Sequence, residues 1–248
     1  MEWQCIVDAP LRAAENMERD LAIAEAVAAR RMPPTLRLYA WWPPAVSIGR
    51  NQDVAEACDP VACVAAGWDV VRRPTGGRAV LHAADEVTYS VALPLEQAPP
   101  GVLAAYAWLA RALVAAYRRL GLPAELAPGR HLAARSGACF DAPAAHEVVV
   151  GGRKLAGSAQ VRRAGYLLQH GSLPVTFDPQ LHASLLGLAP DAAGMLARQG
   201  AGLRNFIDPA PSRAEIVAAV AAGFEEALGV AFANPGPGVL RHTEVGGV

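Results

Sequence analysis

The chain has 248 residues, 53% apolar and 18% charged, with a formal net charge of -1. That is ample for one substantial core and short for two ordinary domains, so a single domain over residues 1–248 is expected. A near-neutral chain without a Lys/Arg cluster lacks the electrostatic footprint of a nucleic-acid binder or of a protein held on an anionic membrane surface.

Met1 to Val7 shows no basic start followed by a long apolar run, so no secretory signal is read there. The alanine-rich stretch Val102 to Val114 is too short to span a bilayer and carries Arg111. Cys5, Cys58, Cys63 and Cys139 form no CxxC pair. Free thiols in a cytoplasmic protein are expected, not a zinc ribbon or a disulfide scaffold.

In chain order, a short strand ends near Val7, and Asp8 is placed to cap a helix running to about Arg31 with Met17, Leu21, Ala24 and Ala28 on one face. Pro33 and Pro34 stop it. Leu36–Tyr39 and Val46–Ile48 read as strands joined by a tight turn at Pro43-Pro44, followed by a helical patch at Pro60–Ala66. Asp69–Arg72, Ala79–Leu81 and Val87–Leu93 are β-prone, interrupted by a turn at Thr75-Gly76-Gly77. A long helix, Val102–Leu120, closes at Gly121, and a looser segment, Pro123–Ala145, carries Cys139. Gly151-Gly152 is a hairpin signal between strands Glu147–Val150 and Lys154–Ala159, and a further strand covers Gly165–Leu173. Beyond Asp178 the pattern is helical, including Ser212–Leu228, before a Pro/Gly tail from Asn234 to Val248 that is expected to be mobile.

The basic residues carry the most information. Of 22, Lys154 is the single lysine and the rest are arginine. A chain that uses arginine wherever charge suffices keeps this lysine either by chance or because a compact ammonium, with a pKa that burial can shift, is needed there. The segment Arg72-Arg73-Pro74-Thr75-Gly76-Gly77-Arg78 is either a plain hairpin turn or a place where backbone N–H groups meet a carbonyl or phosphate oxygen. Cys139, in Ser136-Gly137-Ala138-Cys139-Phe140-Asp141-Ala142-Pro143, is either a small packing residue or a nucleophile whose thiolate nearby positive charge would favour. His82 and His170 sit at strand ends, where a histidine either fixes a loop or moves protons. The Arg30/Arg31, Arg118/Arg119 and Arg162/Arg163 pairs read as solvated faces that could also meet an acidic carrier protein.

Taken together, the runs 72–82, 152–160 and 168–172 resemble, in order and spacing as well as in residues, the biotin/lipoate ligase superfamily. The likeness extends from about Trp3 to the last helix. Within it, Ala138–Pro143, shortly before the lysine motif, is similar to the cysteine-dependent octanoyltransferases rather than to the ATP-dependent lipoate-protein ligases.

The resemblance implies an α/β (α+β) fold of mixed, largely antiparallel sheets packed with helices. It implies that Cys139 takes octanoyl from acyl carrier protein as a thioester, and that a lysine of a lipoyl domain or of the glycine-cleavage H protein then attacks it. In this picture Lys154 lies beside the thioester, favouring the thiolate and the developing oxyanion. Substrate contacts would come from Arg73, Thr75, Gly76, Gly77, His82, Gly157, Ser158, Ala159, His170 and Gly171, with N–H groups near Gly76-Gly77 and Gly157 facing the acyl carbonyl. An apolar slot would hold the chain, where about six methylenes at roughly 0.8 kcal/mol each contribute about 5 kcal/mol. Neither ATP nor a metal is implied, and a monomer is expected.

Two positions depart from the family pattern: Ala83 follows His82 where an acidic residue is common, and Arg78 stands where many members have a third glycine. No candidate is read for the C-terminal accessory domain common among the ligases. The rival readings are an amidotransferase acting between carrier domains, an ATP-dependent ligase, and a non-catalytic module that binds acylated carriers.

Overall fold

The structure, a computed structural model, describes residues 2–128, 146–163, 165–189 and 191–233. Cys139 and the tail from 234 to 248 lie outside the described residues.

The elements in order are β1 (Glu2–Val7), α1 (Ala13–Ala28), β2 (Thr35–Tyr39), β3 (Ala45–Ile48), α2 (Val54–Ala57), α3 (Pro60–Ala65), β4 (Asp69–Arg72), β5 (Val80–His82), β6 (Val87–Pro94) and α4 (Val102–Arg119). There follow β7 (Glu125–Leu126), β8 (Val148–Val150), β9 (Arg153–Lys154), β10 (Gly157–Arg163), β11 (Tyr166–Leu173), α5 (Pro179–Leu185), α6 (Ala192–Gln199), α7 (Arg213–Leu228) and β12 (Ala231–Phe232).

A six-stranded sheet runs β10-β11-β6-β2-β1-β12, antiparallel as far as β2 and parallel from β2 to β12. A second sheet, β4-β3-β5, and a third, β7-β8-β9, each have three strands. The expected mixed, largely antiparallel α/β class is what forms.

Period-2 alternation decides what the main sheet shows to each side. Leu36, Leu38, Val87, Tyr89, Val91, Leu93, Leu167 and Leu173 join the core under α4 and α7. The intervening residues face α1, where Ala92, Val161, Tyr166 and Leu168 pack on the helix at one end and the rest of the face is polar. Register aligns Arg37, Ser90, His170 and Ala159 in one cross-strand row and Tyr39, Thr88, Ser172 and Gly157 in the next. A slip by one residue would drive these groups into the apolar core, so the site and the core are specified by the same pairing.

Several expectations are corrected. Asp8 does not cap α1: its carboxylate accepts from Arg37 Nε at 2.7 Å and pairs with Arg19 at 3.0 Å. The helix starts instead after Arg12, whose backbone N–H donates to Glu15 at 3.3 Å. Leu21 and Ala28 are only partly buried on α1, whereas Asp20 and Asn16 are buried. The strands on either side of Pro43-Pro44 are not a hairpin, because β2 and β3 belong to different sheets. The single strand expected over Lys154–Ala159 is two strands in two sheets, broken where Leu155 and Ala156 drop into the main core. Cys63 is helical as read, but Cys58 lies just past α2.

The helix signals at the far end hold: Ser212 and Glu215 cap each other at the start of α7, and Gly229, left-handed at φ 63°, ends it. Where α7 crosses α4, a Cβ on Gly223 would lie 2.5 Å from the Ala112 carbonyl oxygen and 2.7 Å from the Ala116 nitrogen. Both are backbone atoms that cannot turn aside. Gly223→Ala should therefore lose about 2 kcal/mol of stability through overpacking, despite a helix-propensity gain of about 1 kcal/mol. Urea unfolding measures the difference, and a variant as stable as the parent contradicts this packing.

Candidate active site

The polar face of the main sheet and the second sheet enclose a narrow cleft with a cavity volume of about 30 Å³. That is room for about two waters. The main sheet contributes Gly157, Ser158 and Ala159 from β10 and His170, Gly171 and Ser172 from β11. Across from them stand Ser47 of β3, Val80 and His82 of β5, and Arg73 and Gly77 of the turn between β4 and β5. Met17, Tyr39, Trp41 and Thr88 complete the walls.

The turn is folded around its own arginine. Arg73, 3% exposed, donates from Nη2 to the carbonyls of Gly76 and Arg78, both at 2.7 Å, and from Nη1 to the Ser47 carbonyl at 2.9 Å. Its Nε reaches Thr75 Oγ1 at 3.1 Å. Gly77 has φ 86°, a conformation that a side chain would strain. The tight turn of Thr75-Gly76-Gly77 is thus as expected, but Gly76 points its carbonyl at Arg73.

Behind the cleft a buried network fixes His170. Its Nε2 lies 2.7 Å from Thr75 Oγ1 and its Nδ1 3.2 Å from Asp20 Oδ2. Asp20 also accepts from Arg37 Nη1 at 2.8 Å, Ser90 at 2.7 Å and Tyr39 at 3.0 Å. Burial alone would raise the Asp20 carboxyl, but the His170 and Ser90 hydrogen bonds and the Arg37 charge outweigh it and hold it below the usual range. Burial holds the His170 imidazole down, with the Arg73 and His82 charges acting in the same direction and Asp20 opposing. His170 is therefore neutral, with its proton on Nδ1 toward Asp20 and the Thr75 hydroxyl donating to Nε2.

On the other side His82 stacks on Trp41 at 4.1 Å between ring centres, with Nε2 2.8 Å from Ser47 Oγ and Nδ1 2.6 Å from Glu86 Oε1.

Arg73, Gly77, His82, Gly157, Ser158, Ala159, His170 and Gly171 are thus brought together as the sequence implied, with Thr75 and Gly76 directly behind them. Lys154 is buried on β9 and pairs with Glu147 at 2.5 Å. It is not one of the residues walling the cleft. Cys5, Cys58 and Cys63 are all buried, and burial pushes their thiols up, Cys5 to about 12 and Cys63 to about 11. None of the three suits nucleophilic work.

Asp20, Ser47, Trp41, Thr88, Glu86 and Ser172 are site residues that the sequence reading missed. The available signal was a polar residue on an apolar stripe: Asp20 three residues after Met17 on α1, Ser47 inside Val46–Ile48, Thr88 inside Val87–Leu93.

This fold is that of the lipoate-protein ligase catalytic domains. The chain belongs to the lipoyl protein ligase A/B catalytic domain family, whose model matches residues 12–225. The octanoyltransferase LipM of Symbiobacterium thermophilum is 43% identical, covering 93% of this chain and 86% of that protein. The LipM of Kyrpidia tusciae is 40% identical over 98% of this chain and 92% of its own. Among solved structures, the bipartite lipoate protein ligase of Thermoplasma acidophilum superposes with a TM-score of 0.72 at 27% identity, covering 94% of this chain and 86% of that one.

The neutral imidazoles predict a pH dependence of stability. Burial holds His182, like His170, below its ordinary value. As pH falls below about 6.5, the unfolded chain takes up protons that the folded state refuses, so unfolding free energy drops from pH 7 toward pH 5. Below about pH 4 the depressed Asp20 carboxyl adds to the loss in the same direction. Urea midpoints at pH 7 and pH 5 measure this, and replacing both imidazoles by glutamine should flatten the slope. Equal parent midpoints would contradict it.

Proposed function

We propose that this chain is an octanoyltransferase of lipoate biosynthesis, working in the cytoplasm, that carries octanoyl as a thioester on Cys139. The donor is octanoyl-acyl carrier protein, and the acceptor is a lysine of a lipoyl domain or of the glycine-cleavage H protein. The observation that carries the activity is the likeness to LipM octanoyltransferases over nearly the whole chain. The three cysteines other than Cys139 are buried with raised pKa values, which supports Cys139 as the nucleophile.

Topology supports the partnership of Cys139 with Lys154. The described residues before 129 and after 145 meet where β7 pairs with β8 and Ala127 exchanges backbone hydrogen bonds with His146 and Glu147. Glu147, at that stem, holds Lys154, and Val149 of β8 is the register partner of Lys154. The Gly151-Gly152 turn, with φ 56° and 77°, makes this hairpin. The only ammonium side chain is thereby anchored beside the base of the segment that bears the nucleophile, where positive charge favours a thiolate.

The narrow cleft suits an acyl chain once its walls part, and Met17, an unbranched thioether, is the wall residue most able to move. Octanoyl burial there would contribute about 5 kcal/mol. The N–H groups of the 76–77 turn and of Gly157 are the candidate partners of the acyl carbonyl.

Incubation with octanoyl-acyl carrier protein without ATP should give one octanoyl adduct by intact mass, absent in Cys139→Ala and discharged by a lipoyl domain. Acylation of the acceptor only when ATP is added would favour the ligase, and no turnover at all the binding module. Lys154→Arg should cut turnover at least about 100-fold, because a planar guanidinium cannot replace a compact buried ammonium. Full activity in that variant would remove the special role given to the amine.

A further inference from the structure

His82, Glu86 and Ser47 make a line of hydrogen bonds that ends in the cleft, and their neighbours settle where the protons lie. Trp41 Nε1, which can only donate, donates to Thr88 Oγ1 at 2.7 Å, leaving the Thr88 hydroxyl proton for Glu86 Oε1 at 2.5 Å. Ser172 donates to Glu86 Oε2 at 2.6 Å. A carboxylate already receiving two hydroxyl protons accepts from His82 as well, which puts the imidazole proton on Nδ1. On the far side Arg73 Nη1 donates to Ser47 Oγ at 3.3 Å, which leaves the Ser47 proton available for His82 Nε2 at 2.8 Å. The result is a hydroxyl that lines the cleft, an imidazole with Nε2 on that hydroxyl, and a carboxylate behind it on Nδ1. This is the connectivity by which a base is oriented for proton transfer. The stack on Trp41 fixes the ring plane. A histidine serving only to hold a loop has no need of a partner that opens onto substrate space, yet Ser47 and His82 both wall the cleft.

We propose that Ser47, His82 and Glu86 form a proton relay for the transfer step, a reading that rests on the thioester-to-lysine reaction above. The neutral lysine amine forms its C–N bond to the acyl carbon, and the C–S bond breaks to release the cysteine thiolate. The surplus proton on nitrogen passes to Ser47 Oγ while the Ser47 proton passes to His82 Nε2, and Glu86 stabilises the imidazolium. Return of that proton through Ser47 to the thiolate regenerates the thiol, so the cycle needs no outside acid or base. Ser47 is the group that touches the amine, while His82 and Glu86 act through it. The charged and titratable groups around the imidazole are Glu86, Arg73 beside Ser47, and His170 and His182, each of which interacts electrostatically with His82.

The test loads the enzyme with octanoyl from its carrier protein, mixes it with a lipoyl domain, and follows acylation and transfer separately by quenched-flow mass measurement across pH. Glu86→Gln should slow transfer about 100-fold more than acylation. It should also move the acid limb of the transfer profile to lower pH, because the anion that favours the imidazolium is gone. A transfer profile that superimposes on the parent's, or equal losses in both steps, overturns the relay. Should Glu86→Gln fail to fold, Ser47→Ala removes one oxygen from β3 and is judged by the same split between the two steps. If the parent forms no octanoyl adduct, the thioester reading fails first, and the relay with it.

Discussion

The site depends on one buried cation. Arg73 has no room to reach solvent, and its donors go to three backbone carbonyls and two hydroxyls drawn from β3 and from its own turn. A guanidinium in that position is tolerable only if these partners stay put, because a buried charge that loses its hydrogen bonds is costly. The turn is therefore rigid for the same reason that it is positively charged. Gly77 supplies the backbone geometry that lets the carbonyls on either side of it converge on the arginine.

The two hydroxyls that Arg73 touches each lead to a histidine. Thr75 connects to His170 and on to Asp20 and Arg37; Ser47 connects to His82 and on to Glu86. The branches end differently. Asp20 lies on α1 with Arg37, Tyr39 and Ser90 around it, a satisfied charge pair that makes His170 a fixed wall. Glu86 receives hydroxyl protons from Thr88 and Ser172 and the imidazole proton of His82. At His170 desolvation dominates and disfavours the imidazolium. Two histidines of similar position in the sequence thus acquire different chemistry from what stands behind them.

Much of this was legible in the sequence, and the illegible part has a physical pattern. Gly76-Gly77, the Gly151-Gly152 hairpin, the Ser212/Glu215 cap and the long helices are local, and each was readable from neighbouring residues. The three motifs around residues 72, 154 and 170 named most of the cleft. Asp20 and Ser47 were hidden because they act across the chain: Asp20 is 150 residues from His170, and Ser47 is 35 from His82. No acidic residue directly follows His82, yet Glu86 supplies a carboxylate four residues on, from the loop leading into β6. The assignment of β2 and β3 to different sheets was likewise set by pairing partners distant in sequence.

The separation of Arg73 from Lys154 has a chemical consequence. Arg73 is committed to the turn and to the hydroxyls, in the wall of the cleft, while Lys154 is paired with Glu147 at the stem of the hairpin that flanks residues 129–145. A guanidinium with a planar fork suits the first task, since it must meet several oxygens at fixed angles; a point charge on a flexible stem suits the second, where one acid partner is shared with whatever the hairpin brings near. A fold shared with a lipoate protein ligase and a sequence similar to octanoyltransferases show that the fold alone does not fix the reaction.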